Sequence, residues 1–403
     1  MYTEYFISET NTLLNNINNI NINSLYKIKK YIHQDFINML TNINIDHKVS
    51  YKPLLNDNSC IPLLINHFKI NDINLLENKI SSIQKSIDNI INCSELYSID
   101  DKNMVKILKV IYENSFMPLQ IIQWIEKCSY YYLLTWNNIK VHIINNEIIN
   151  SDYINHIILI IKWLITIANK ININMDIYLF LSDIKKILPS ICTKIYDYCP
   201  LNSINVNSGV SWAHNWIQIF RKEELFKVLI HELIHYLKLD VNKYSHILDS
   251  KCAHIKMDNK SNSILVNEAY TEILAIYLHT IYISKYIVDK ENLNFDDIFW
   301  DLYMNEERFT LYQINKIFQY YNISDISYFK NNNNFIQYTN VISYYIIKYL
   351  FFINTIYFIK NYNNHKIIVN LILYLLKNFF NLKIPKYDQI NDNSLRMSIY
   401  QLN

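Results

Sequence analysis

The stretch Arg221–Asp240, RKEELFKVLIHELIHYLKLD, constrains this chain more than any other. After a charged first turn (Arg221, Lys222, Glu223, Glu224), apolar side chains cover nearly the whole circumference: Leu225, Phe226, Val228, Leu229, Ile230, Leu233, Ile234 and Leu237. A helix apolar nearly all round is a buried one. This one also carries His231, Glu232 and His235, and buried polar groups need partners. Positions i and i+4 share a helical face one turn apart, so both imidazoles can reach a single metal ion. Glu232 stands beside them, where a carboxylate can take a proton from a metal-bound water. The plain alternative is two core histidines hydrogen-bonded to carbonyls. The order H-E-x-x-H inside such a run favours the metal.

Burying that helix takes a large core. The 403 residues are 51% apolar, which means a folded chain with two or three domains, or one large domain with extensions. The net charge of +2 gives no field suited to nucleic acid or acidic lipid, so no nucleic-acid partner is expected. The chain holds a single glycine, Gly209, and is rich in Asn, Ile, Lys and Tyr. This is the usage of a very AT-rich genome, such as that of a large DNA virus or a malaria parasite. Without glycine, positions needing φ > 0 fall mostly to Asn or Asp. Six cysteines lack C-x-x-C spacing and read as reduced thiols, not as zinc ligands. The opening MYTEYFISET has no signal-peptide pattern, so the expected location is intracellular and cytoplasmic, or the virion if the protein is viral. Val341–Ile359 is long and apolar, but Lys348 near its centre and its tyrosines predict a buried helix and no stable membrane span.

The organisation reads as α+β and mostly helical. A helical N-terminal region, 1–135, shows three- and four-residue spacing in Ile28–Leu40, Ile80–Ile91 and Met104–Ile122, with Tyr130–Leu134 as an aromatic connection. The central region, 136–290, has strand-like runs at Ile139–Ile144, Ile177–Leu181, Ile204–Val206 and Trp216–Phe220, a buried helix over Asn155–Ala168, and a short helix begun by Ser182–Asp183. These predict a small mixed sheet with helices packed on it. Gly209 falls in the turn between the last two strands, for a positive φ or a close backbone approach. The C-terminal region, 291–403, is helical again.

Two histidines leave a catalytic zinc one protein ligand short. Glu268, 33 residues after His235 on the predicted helix Ile264–Ile287, is the candidate. Glu272, one turn on, can accept the outer N–H of a ligand histidine, and Asn267 can hold backbone near a substrate. His246 and His254 are rival ligands, and His214 is either a substrate contact or an ordinary loop residue. A metzincin site is excluded by Lys238 and Val241, which stand where that pattern requires Gly and His.

His231, Glu232 and His235, followed by Asn267, Glu268, Thr271 and Glu272, resemble the paired motifs of thermolysin-like gluzincin zinc metallopeptidases. The wider context also resembles the poorly characterised metallopeptidases of large DNA viruses. The resemblance covers about 205–290. Two features depart from it: the motifs lie further apart than usual, which implies an inserted loop, and Thr271–Glu272 stands where Ser–Asp is commonest. The resemblance implies a zincin-like core and a peptidase in which Zn2+ is held by His231, His235 and Glu268, with Glu232 as general base. It further implies that Trp216, Ile217, Gln218, Ile219 and Phe220 form an edge strand that pairs with a peptide or protein substrate. It implies an oxyanion stabiliser near Ser343, for which Tyr344 and Tyr345 are the candidates. The rival functions are a non-catalytic interaction or virion protein on the same scaffold, and a zinc hydrolase of a non-peptide substrate.

Overall fold

Aromatic and β-branched residues, mostly buried, make Tyr130–Trp136 (β1) and Ile139–Asn145 (β2) an antiparallel hairpin, in register from Tyr130↔Asn145 to Trp136↔Ile139. Asn137 takes φ 49° in its two-residue turn. Met175–Phe180 (β3) runs parallel to β2, and the connection needs a crossover, which a helix supplies. Gly209–Trp212 (β4) and Trp216–Ile219 (β5) complete the sheet: β5 is parallel to β3 and β4 is antiparallel to β5, giving the order β1-β2-β3-β5-β4. This computed structural model describes residues 3–6, 8–17, 34–43 and, from Ile107 onward, all but scattered residues and short stretches, of which 190–198 and 213–215 are the longest.

The main helices are Ser8–Ile17 (α1), Gln34–Thr41 (α2), Leu119–Ile125 (α3), Ser151–Ile167 (α4), Leu225–Leu237 (α5), Val266–Glu291 (α6), Phe295–Tyr320 (α7) and His365–Lys377 (α8). The fold is α+β and largely helical. Strand alternation splits the core in two. Ile177, Leu179, Ile217 and Ile219 face the large cluster with α4, α5 and α6, whereas Tyr178, Phe180 and Phe220 face a smaller one that includes Ile121 and Ile125 of α3. Helix α5 packs against α4, α6, β4 and β5, so it is enclosed as its composition requires. The large cluster runs from Phe6 to Leu402, and a β-bridge joins those two residues.

The scarcity of glycine shows in the backbone. Of seven non-glycine residues with positive φ among those described, five are Asn: Asn137, Asn169, Asn172, Asn292 and Asn322. The other two are Glu224 and Lys238, which flank α5.

Several expectations differ from the structure. Tyr130–Leu134 is not a connection but most of β1. Ile204–Val206 belongs to a helical turn, Ser203–Val206, because Asn202 caps it through Ile204 N at 2.9 Å; capping outweighs the β-branched residues. No helix follows Ser182–Asp183. The backbone there bonds elsewhere: Lys186 N donates to Glu223 and Leu188 N to the Asn393 carbonyl, both at 2.8 Å. Trp216–Ile219 is an interior strand, and the edge is β4. The Val341–Ile359 run divides into a π-helix, Ile342–Ile347, then Lys348–Phe352 and Thr355–Lys360. Among the described residues no helix is long and apolar enough to cross a membrane. Cys199 is disulfide-bonded, against the reading of six reduced thiols, whereas Cys128 and Cys252 are buried thiols. Ile80–Ile91, most of Ile28–Gln34 and His214 lie outside the described residues.

Candidate metal centre

The charged residues before α5 are not a solvated first turn. They anchor the helix in the core. Buried Arg221 donates to the carbonyls of Ile184 and Ile204, each at 2.6 Å, and of Asn207 at 3.1 Å. Glu224, in the left-handed region at φ 59°, pairs with Lys186 and accepts from Met397 N at 2.9 Å. That conformation is costly for a side chain with a Cβ and persists because the surroundings fix it. At the other end Lys238, also at φ 59°, terminates α5 as a glycine usually would, with Leu239 N bonded to the Ile234 carbonyl at 3.0 Å. The reversal brings Asp240 back beneath His235.

His231 and His235 project from one face of α5, and Glu268 from the first turn of α6, which packs against it. The two Nε2 atoms are 3.2 Å apart. Glu268 Oε2 is 3.4 Å from His231 Nε2, and its Oε1 is 3.5 Å from His235 Nε2. These three residues could hold a metal ion. Both outer nitrogens meet carboxylates: His231 Nδ1 meets Glu272 Oε2 at 2.9 Å, and His235 Nδ1 meets Asp240 Oδ2 at 2.6 Å. An imidazole that donates Nδ1–H to a carboxylate presents the Nε2 lone pair inward, as a metal ligand must. Lys227 bonds the other oxygen of Glu272 at 2.6 Å. Burial pushes the Glu272 carboxyl up, but Lys227 and His231 outweigh it and hold the group well below the usual range.

Asn267 lines the cleft and holds backbone there. Its Oδ1 accepts from Val241 N at 3.1 Å and its Nδ2 donates to Asp240 Oδ2 at 3.2 Å. It therefore steadies the carboxylate that holds His235.

Glu232 lines the same cleft, of about 460 Å³. Burial raises its pKa above the ordinary carboxylate value, against the pull of His231 and His235, and Ser211 hydrogen-bonds to it. A raised pKa makes a carboxylate a stronger base. Tyr344, in the π-helix, donates to Glu268 Oε2 at 3.0 Å and lines the cleft. Burial, then Glu268 and Glu232, push its hydroxyl well above the usual range, so it remains a donor. Tyr345 points the other way, to the Leu395 carbonyl at 2.7 Å, and does not reach the site. π-Turns often occur at functional sites.

The cleft's strand wall is Gly209, Val210 and Ser211 of β4; none of Trp216–Phe220 lines it. The loop between the two motifs supplies Asn262, Ser263 and Leu265 opposite, and it is tied down by bonds such as Asn262 N to the Gln337 carbonyl at 2.8 Å. His246 is exposed and His254 packs edge-on to Phe380; neither lines the cleft.

Sequence reasoning missed Asp240, Lys227 and the β4 wall. Asp240 had a faint signal, as an acid just past the helix end. Lys227 had a clearer one, as a lone cation in an apolar run one turn before His231. Comparisons with protein-family models, with curated proteins and with solved structures give no match.

Proposed function

We propose that this chain is a zinc-dependent peptidase with a zincin-like core. The convergence of His231, His235 and Glu268, with Glu232 beside them, is the observation that carries the reading. Ligand atoms around a tetrahedral zinc, at about 2.0–2.1 Å from it, stand about 3.3 Å from one another. Here the two Nε2 atoms stand 3.2 Å apart, Glu268 Oε2 is 3.4 Å from that of His231 and Oε1 3.5 Å from that of His235, and one ligand atom from each residue can be chosen with all three within 4.8 Å of one another. Two imidazoles and a carboxylate form a donor set that suits a catalytic zinc, and two more carboxylates orient the imidazoles.

A zinc ion held by His231, His235 and Glu268 would supply Lewis acidity and would make water a nucleophile near neutral pH. Glu232 takes the proton of the attacking water and hands it to the leaving amine. Tyr344 offers its O–H to the oxygen that gains charge as the carbonyl is attacked. The outer edge of β4 borders the cleft and offers backbone groups to an extended substrate. That edge supports a peptide substrate over a small molecule. Glu232 supports an enzyme over an interaction or virion protein, since a structural metal has no use for a base.

The test has two parts. Metal analysis of the purified protein is expected to find about one zinc per chain. Glu232→Gln is expected to keep that zinc and lose cleavage of a denatured-protein substrate. A folded wild-type chain without metal, or undiminished cleavage by the variant, would overturn the reading.

A further inference from the structure

We infer that Lys227 is a positioning residue for the metal centre, acting through Glu272 on His231; this rests on the metal-centre reading above. Lys227 lies one turn before His231 on the same face of α5 and is 1% exposed. Its ammonium meets Glu272 Oε1 at 2.6 Å, while Oε2 of the same carboxylate meets His231 Nδ1 at 2.9 Å. One carboxylate thus bridges two side chains of a single helix face, with one oxygen assigned to each.

A buried lysine is costly to desolvate unless it is well paired. The packing of α5 does not call for one, since methionine fills a similar volume. What the ammonium adds is orientation. With Oε1 tied to Lys227, the carboxylate plane is fixed and Oε2 is aimed at Nδ1. The next cation, Lys348, stands 3.9 Å from Oε1, too far for a hydrogen bond, and donates to the Met397 carbonyl at 2.9 Å. Removing Lys227 therefore frees Glu272 to turn and loosens the imidazole it holds. The other histidine is held without a lysine: Asp240 is steadied by Asn267 Nδ2 and by Asn242 N, each at 3.2 Å. Among the described residues, a lysine bonds the carboxylate behind His231 and none bonds the one behind His235.

Zinc dissociation constants, measured by chelator competition, test this on four full-length proteins: wild type, Lys227→Met, Glu272→Gln and the double variant. Each single change is expected to weaken zinc binding about 10- to 100-fold, the range for groups that support a metal ligand. The double variant is expected to bind no more weakly than the weaker single one, because both changes break the same link. Wild-type affinity in Lys227→Met, or losses that multiply in the double variant, would show that Lys227 is merely structural. Should Lys227→Met not fold, the comparison of Glu272→Gln with the double variant decides, since that protein buries no unpaired carboxylate at this point. Equal affinities are expected there; a further tenfold loss overturns the role. A wild-type chain that takes up no zinc overturns the metal-centre reading and this role with it, a result distinct from a zinc-loaded wild type and an unaffected Lys227→Met.

Discussion

Gly209 and Glu232 stand so close that a Cβ on residue 209 would lie 2.9 Å from Glu232 Oε1. The same atom would lie 2.9 Å from Val228 Cγ1 and 3.1 Å from the Gln218 carbonyl oxygen. The backbone of Gly209 does not have positive φ. The chain's single glycine therefore serves a close approach between β4 and α5, at the carboxylate proposed as the base.

Gly209→Ala is accordingly expected to displace Glu232 or to push β4 outward. Overpacking of this kind costs about 1–3 kcal/mol. Activity should fall further than stability does, by about 10²-fold, because a general base misplaced by an ångström loses its reach. Zinc content should be unchanged. Peptidase assays beside metal analysis check this, and full activity in a folded Gly209→Ala protein would detach Gly209 from the site.

Asp240→Asn removes the charge that receives His235 Nδ1–H while keeping the side chain's size. Zinc affinity is expected to drop about 10- to 100-fold. The effect should multiply with that of Glu272→Gln, since each carboxylate serves a different histidine and the two act independently. Competition titrations on the single and double variants measure both, and a double variant no weaker than either single one would contradict the division.

How much of this was legible in the sequence depended on whether local pattern decided the matter. His231 and His235 could be placed on one face, with Glu232 beside them, because helix geometry alone sets the i, i+4 spacing. Glu272 could be placed behind a ligand histidine because it lies one turn from Glu268, but which histidine it holds was settled only by the packing of the two helices. The edge strand was misassigned because period-2 alternation identifies Trp216–Ile219 as a strand but not its neighbours, and pairing order is a property of the whole sheet. Ile204–Val206 was misread because β-branched propensity was weighed without the Asn202 cap. Asp240 was missed because its role depends on a left-handed Lys238, and a chain almost without glycine gives little local warning of such a turn.

Tyr344 and Tyr345 are adjacent, and the structure separates them sharply: one bonds Glu268 Oε2 at 3.0 Å, the other the Leu395 carbonyl at 2.7 Å. Tyr344→Phe is expected to lower kcat about 10²- to 10³-fold, as loss of an oxyanion donor does, with little change in KM. Tyr345→Phe should leave kcat near wild type and cost about 1 kcal/mol of stability through its lost hydrogen bond. Steady-state kinetics and urea unfolding of both variants separate the roles; equal kinetic losses would remove Tyr344 from the chemistry.

Acid sensitivity follows from two histidines away from the cleft. Burial first, with Lys227 adding to it, lowers His279 from 6.5 to about 3, and burial lowers His156 to about 4. Among the described residues, His279 Nε2 is buried without a hydrogen-bond partner. A depressed histidine pKa means that the unfolded chain takes up a proton first as pH falls. The stability tied to each group is therefore fully present above about pH 6.5 and is lost toward the folded value, with a slope of at most about 1.4 kcal/mol per pH unit and group. His279→Leu removes one such group and should flatten the loss between about pH 6 and pH 4 by about 1 kcal/mol per unit. His156→Phe should do the same over the upper part of that range, because its folded pKa is higher. Urea midpoints of wild type and both variants, taken at several pH values without added metal, read the difference directly. The metal-site histidines are common to all three proteins and cancel in the comparison, so parallel curves would mean that these two imidazoles do not set the acid limit.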